Sequence, residues 1–245
     1  MGRLSSLFKR DAPEHEEPQG QYDSDDLLST FDAPLISDQP QEAYEFAFES
    51  VFSTNLIIKH FTSATSEVVF WAETSEWKKE PDLVFRKGAK DGPVAGSGIM
   101  RKRNHEMTFR TGGNGTVEDH SVGNELATVN QDKKWRDSAY TLAIPTTSAH
   151  APRLYHFTRT QSTKDGVQGI AAKLAYYNWI VSNVRREKVG LYLENLKNGI
   201  SLTRGKMTSN PDTLDDPGDL LVLLLGLVAI NERARRDLNL TIAIT

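Results

Sequence analysis

From Tyr44 onward, short apolar or β-branched runs are separated by turn residues. Tyr44, Phe46 and Phe48 alternate with other residues and would share one face of an extended chain. Leu56, Ile57 and Ile58 form the next run, and Val68, Val69, Phe70 and Trp71 the one after. Continued along the chain, the pattern predicts strands over 44–50, 54–60, 67–73, 83–87, 94–103, 107–110, 126–130, 139–144, 154–160, 173–178, 189–194 and 200–204. Gly112-Gly113-Asn114-Gly115 and Asn198-Gly199 are turn signals, the second a hairpin signal. Residues 176–184 fit a helical face as well, through Tyr176, Tyr177, Trp179, Ile180 and Val184. About a dozen strands at this spacing predict an antiparallel barrel or sandwich.

The segment 219–236 breaks the pattern. It is rich in leucine and long enough to be helical. Asp216 is the expected N-cap, with Pro217 at the first helical position. Arg233, Arg235 and Arg236 would sit at the negative end of the helix dipole. The uncharged stretch 220–231 covers only about 18 Å as a helix at about 1.5 Å per residue, too short for a bilayer core. Residues 220–230 show no polar face, so the helix must be buried all round. In an otherwise all-β chain its natural place is inside a closed barrel. The expected fold is therefore mainly β, a closed antiparallel barrel of about twelve strands around a buried hydrophobic C-terminal helix.

Charge divides the chain. Residues 1–45 carry 11 acids and 3 basic residues, and the remainder 22 acids and 26 basic residues. The tail holds Pro13, Pro18, Pro34 and Pro40 and few periodic apolar positions, so residues 1–40 read as a disordered acidic tail. Such a tail is either solubilising or a regulatory arm that shields a basic face of the body, the domain over 41–245. Gly2 with Ser6 fits a loose N-myristoylation pattern, although the bulky Arg3 opposes it. Leu4, Leu7 and Phe8 do not make a secretory h-region, so the sequons at Asn114 and Asn239 are expected to be idle.

The chain has no cysteine, which excludes disulfides, thiolate metal sites and a thiol nucleophile. The six histidines have no tight ligand spacing. Neither a Gly-x-Ser-x-Gly elbow nor a phosphate-cradling glycine loop occurs. Glu118-Asp119 would point to opposite faces of a strand, and Asp215-Asp216 is better explained as capping. These readings nominate no enzyme, cofactor or metal. The positive signal is basic. Arg101-Lys102-Arg103 ends a predicted strand, with Arg101 and Arg103 on one face, and is the candidate site for an anionic lipid headgroup. Lys78-Lys79, Lys133-Lys134 with Arg136, and Arg185-Arg186 with Lys188 are further clusters. Ordinary solvated β-surface carries such runs too. Nucleic acid is not expected, because acids interrupt the basic residues.

The segments 81–88 (Pro81-Asp82-Leu83-Val84-Phe85-Arg86-Lys87-Gly88), 93–98 and 215–236 together resemble the tubby C-terminal-like superfamily, which includes tubby proteins, phospholipid scramblases and LURP-one-related proteins. The resemblance is closest to uncharacterised tubby-like proteins of fungi. It implies a barrel around a helix and, from the tubby branch, phosphoinositide binding by surface basic residues. The scramblase branch implies palmitoylated cysteines and a calcium response, and this chain lacks both the cysteines and an acidic calcium loop. The expectation is a cytoplasmic, peripherally membrane-associated, non-enzymatic lipid-binding module. The alternative is a protein-interaction or scaffold domain.

Overall fold

The computed structural model describes residues 42–50, 53–61, 65–75, 81–100, 106–110, 125–133, 139–146, 151–167, 177–195 and 202–242. Twelve strands follow one another: β1 (Glu42–Phe48), β2 (Leu56–Phe61), β3 (Ser66–Thr74), β4 (Leu83–Lys87), β5 (Val94–Met100), β6 (Glu106–Arg110), β7 (Glu125–Lys133), β8 (Ala139–Ile144), β9 (Arg153–Arg159), β10 (Trp179–Asn183), β11 (Lys188–Glu194) and β12 (Thr203–Ser209). Among the described residues one α-helix, α1 (Asp219–Ile242), follows the strands. Every strand pairs antiparallel with its sequence neighbours, and β1 pairs with β12, so the sheet is a closed barrel. This is the fold expected from the hydrophobic pattern. The acidic tail 1–40, with Gly2, lies outside the described residues, as does the Asn198-Gly199 turn.

Alternation builds the wall. In β8, Tyr140, Leu142 and Ile144 are buried between half-buried neighbours, and in β6 the same holds for Met107 and Phe109. These inward residues meet the helix. All twelve residues from Val222 to Arg233 are buried, more than three turns at 3.6 residues each, so no face of that stretch is left to solvent. Gly226 faces Leu142 and Phe157, where an added Cβ would lie in ordinary van der Waals contact at 3.6–3.8 Å. Trp179 Nε1 donates to Asn231 Oδ1 at 2.9 Å, so the first polar residue after the apolar run of the helix meets the largest core side chain. Among the described residues no helix is long and apolar enough to cross a membrane.

Four local expectations change. The tenth strand is Trp179–Asn183, not 173–178: Trp179, Val181 and Asn183 are buried and alternate with half-buried Ile180 and Ser182. The aromatic density that suggested a helix there is a strand facing the core. The twelfth strand is Thr203–Ser209 rather than 200–204, because Gly205 and Lys206 hide its period. The helix runs on to Ile242, so Arg233, Arg235 and Arg236 lie within it and do not end it. Arg236 donates instead to Glu232, to Asp82 at 2.7 Å and to the Ser75 carbonyl at 2.7 Å. Asp216 and Pro217, expected as N-cap and first helical residue, both precede the helix, which begins at Asp219; Asp216 instead accepts from Gly218 N–H at 2.8 Å in the turn ahead of it.

Candidate functional site

The strand directions place the start of α1 at one end of the barrel, with the β2–β3, β4–β5 and β10–β11 connections and the N-terminal end of β1. A hollow of about 510 Å³ opens there. Val68, Val69 and Phe70 of β3 form one wall, and Leu220, Leu221 and Leu224 of α1 the other. Pro217 and Gly218, just ahead of α1, and Tyr44 of β1 also line it, and Glu67 and Lys87 stand among the apolar groups. Val68 keeps 37% of its surface exposed, which makes the rim apolar and open to solvent.

Each wall has a local cause. Lys87 ends β4, and Gly88 then takes φ of 70°, where L residues are strained. The Gly88 N–H donates to the Val69 carbonyl at 3.0 Å, which ties this turn to β3 beside the hollow. Opposite, Asp219 fixes the first turn of α1. Its buried carboxylate accepts from Arg153 Nε at 2.8 Å, from Arg153 NH2 at 2.6 Å and from Tyr155 Oη at 2.7 Å. Tyr155 also accepts from the Asp215 N–H at 3.1 Å, so one phenol holds both the helix and the turn before it. Burial, with the Asp219 hydrogen bond, pushes the Tyr155 hydroxyl well above its ordinary pKa. The Tyr44 ring stacks on His60 at 4.8 Å, and its hydroxyl donates to Glu42 at 2.6 Å.

The β10–β11 hairpin projects from the same end. Its tip carries Val184, 56% exposed, then Arg185 and Arg186, both exposed. Arg186 has φ of 64°, held by an N–H bond to the Asn183 carbonyl at 2.9 Å. Arg185 pairs with Glu187 at 2.9 Å and lies 3.7 Å from Asp215. Lys188 is bonded to Asp165 at 3.0 Å, so this member of the sequence cluster has a structural partner.

A second polar group lies at the opposite end, around the C-terminal half of α1. Arg204 is buried, with its guanidinium 5.5 Å from the rings of both Phe48 and Tyr177. Burial pushes the nearby Glu194 carboxyl up to about 7, against the attraction of Arg204. Glu232, although buried, is held below the usual carboxylate range by Arg235 and Arg236. The arrangement can keep a proton on Glu194 near neutrality. The two described histidines are elsewhere: His60 stacks on Tyr44, and His156 Nδ1 lies 3.0 Å from Thr141. Among the described residues no group of three or more metal-ligating side chains forms a site.

The sequence-derived site, Arg101-Lys102-Arg103, lies outside the described residues, as do Lys78-Lys79 and Lys134 with Arg136. The hollow was not foreseen, because β3 and α1 are far apart in sequence and meet only in the closed barrel. The available signal was the unbroken apolar run Val68-Val69-Phe70-Trp71, because alternation cannot turn all four side chains to the same face. No protein-family model, curated protein or solved structure matches the chain.

Proposed function

We propose that the protein is a non-enzymatic module that binds an anionic phospholipid at a membrane surface. The observation that carries this reading is the hollow beside the start of α1, apolar on two walls and bordered by Lys87. An amphiphile with an apolar body and a negative head set on Lys87, away from the Glu67 carboxylate that also lines the hollow, fits that surface. The β10–β11 tip supports it, since an exposed valine followed by two arginines suits an anionic interface. The resemblance of 81–88, 93–98 and 215–236 to tubby-like proteins points to a phosphoinositide as the lipid, with the protein cytoplasmic and peripherally attached. Arg101, Lys102 and Arg103 remain proposed headgroup contacts.

The test is sedimentation with vesicles of phosphatidylcholine alone, or with added phosphatidylserine or phosphatidylinositol bisphosphate, at two salt concentrations. Binding to the anionic vesicles should weaken at high salt. Each basic residue near an anionic surface contributes about 1 kcal/mol, so Lys87→Glu should weaken binding by roughly tenfold or more. Val68→Trp, which fills the rim, should weaken it too. No binding at low salt would remove the lipid reading. Binding that ignores both substitutions but falls with Arg101→Ala and Arg103→Ala would move the site away from the hollow.

A further inference from the structure

The strand that helps to wall the hollow is also where the barrel begins. Glu42 is the first residue of β1 and pairs with Ser209, at the end of the barrel where α1 starts. Tyr44, two residues on, already lines the hollow. The residues just ahead, 33–41, read Ala-Pro-Leu-Ile-Ser-Asp-Gln-Pro-Gln. Leu35 and Ile36 are the only large apolar side chains in that stretch, and Asp38 is its only charge. Pro34 and Pro40 each bias the preceding residue toward extended backbone, which lowers the entropy cost of laying such a segment along a surface. Ile36 lies six residues ahead of Glu42. At about 3.3 Å per extended residue that is a reach of roughly 20 Å, enough to double back to an opening two residues inside the barrel.

We propose that residues 34–40 are a built-in occupant of the hollow, with Leu35 and Ile36 against Val68, Leu220 and Leu221, and Asp38 beside Lys87. The charge matches at Lys87; Glu67 also lines the hollow, so Asp38 must lie on the Lys87 side. The apolar walls match too, since they have the composition of a site that takes two aliphatic side chains. Docking of this strap stands on the geometry alone. Its consequence, that the strap competes with lipid, rests on the lipid reading above.

The chain has no cysteine, so engineered pairs report on this directly. In the full chain, Ile36→Cys with Val68→Cys should form an intramolecular disulfide under mild oxidation. Ile36→Cys with Leu202→Cys should not, because Leu202 is exposed beside the start of β12, at the opposite end of the barrel. Equal bridging of both pairs, or of neither, would overturn the proposal. A disulfide-linked dimer from the first pair would overturn it as well, by showing a second copy in the hollow. Separately, Leu35→Ser with Ile36→Ser, which adds no charge, should tighten binding to phosphoinositide vesicles at least about fivefold, because an occluded site is competent only for the fraction of time it is open. Unchanged vesicle binding in that variant, where the parent does bind, would overturn the competition. If the first pair bridges but the parent binds no vesicle, the strap stands and the lipid reading falls.

Discussion

Replacing Asp219 with alanine should loosen the start of α1, and the size of the effect can be worked from its contacts. The carboxylate is buried and takes three short hydrogen bonds, two from Arg153 and one from Tyr155. Truncation leaves the buried Tyr155 hydroxyl without this acceptor, which costs about 1–3 kcal/mol. It also leaves the Arg153 guanidinium uncompensated. Breaking a fully buried pair costs about 3–5 kcal/mol. The Arg153 side chain keeps 28% of its surface in solvent, so its share belongs below that range. A total of about 3–4 kcal/mol follows. For a chain of this size each kcal/mol shifts Tm by about 2–4 °C, so the drop should be roughly 6–16 °C. Urea unfolding of Asp219→Ala, Arg153→Ala and the double variant closes a thermodynamic cycle. The two side chains touch, so the coupling should exceed about 1 kcal/mol. Additivity within about 0.5 kcal/mol, or a single-variant cost below about 1 kcal/mol, would show that the bidentate contact does not hold the helix. Because Leu220 and Leu221 wall the hollow, Asp219→Ala should also weaken vesicle binding under conditions where it remains folded.

Glu194 should make stability fall as pH rises. Its carboxyl titrates at about 7 in the folded barrel against an ordinary value of 4.5, so between those pH values the folded state holds the extra proton. The stabilisation is complete below about 4.5 and lost through about 7, on the order of 3 kcal/mol in all. Glu194→Gln should flatten that decline in urea midpoints between pH 5 and 8; an unchanged slope would assign it to another group. Gly205→Ala should cost about 1–3 kcal/mol by overpacking, because a Cβ there would overlap the Tyr192 phenol and lie 2.7 Å from the Leu193 carbonyl oxygen. A chemical-denaturation midpoint equal to the parent's would mean that Tyr192 swings aside freely.

The helix was legible because its residues are apolar in every direction, and only a closed wall of strands can surround such a segment. Most of the strands were legible from their alternation. β10 was misplaced because Tyr176, Tyr177, Trp179 and Ile180 satisfy two periods at once, and cross-strand pairing with β9 and β11 decides between them. β12 was set too early because its Gly205 makes room for Tyr192, a requirement carried by another strand. The ion pairs were misread for a related reason. Arg236 looked like a dipole partner at the end of a lone helix, but it pairs with Asp82, and Asp219 with Arg153 and Tyr155, which only the closed barrel brings near. The hollow belongs to the same class of feature. Lys87 was within view as the end of a strand, yet nothing local says that leucines of α1 stand across from β3.

The pairing of β1 with β12 has a consequence for synthesis. Strands join neighbours as they leave the ribosome, but β1 must wait for β12, and the core must wait longer for α1. Until then a growing sheet carries two open edges and an unfilled apolar concavity. Contacts that span nearly the whole described chain are slow to form. The nascent barrel is therefore a natural client for a chaperone, held until its last segment arrives to fill it.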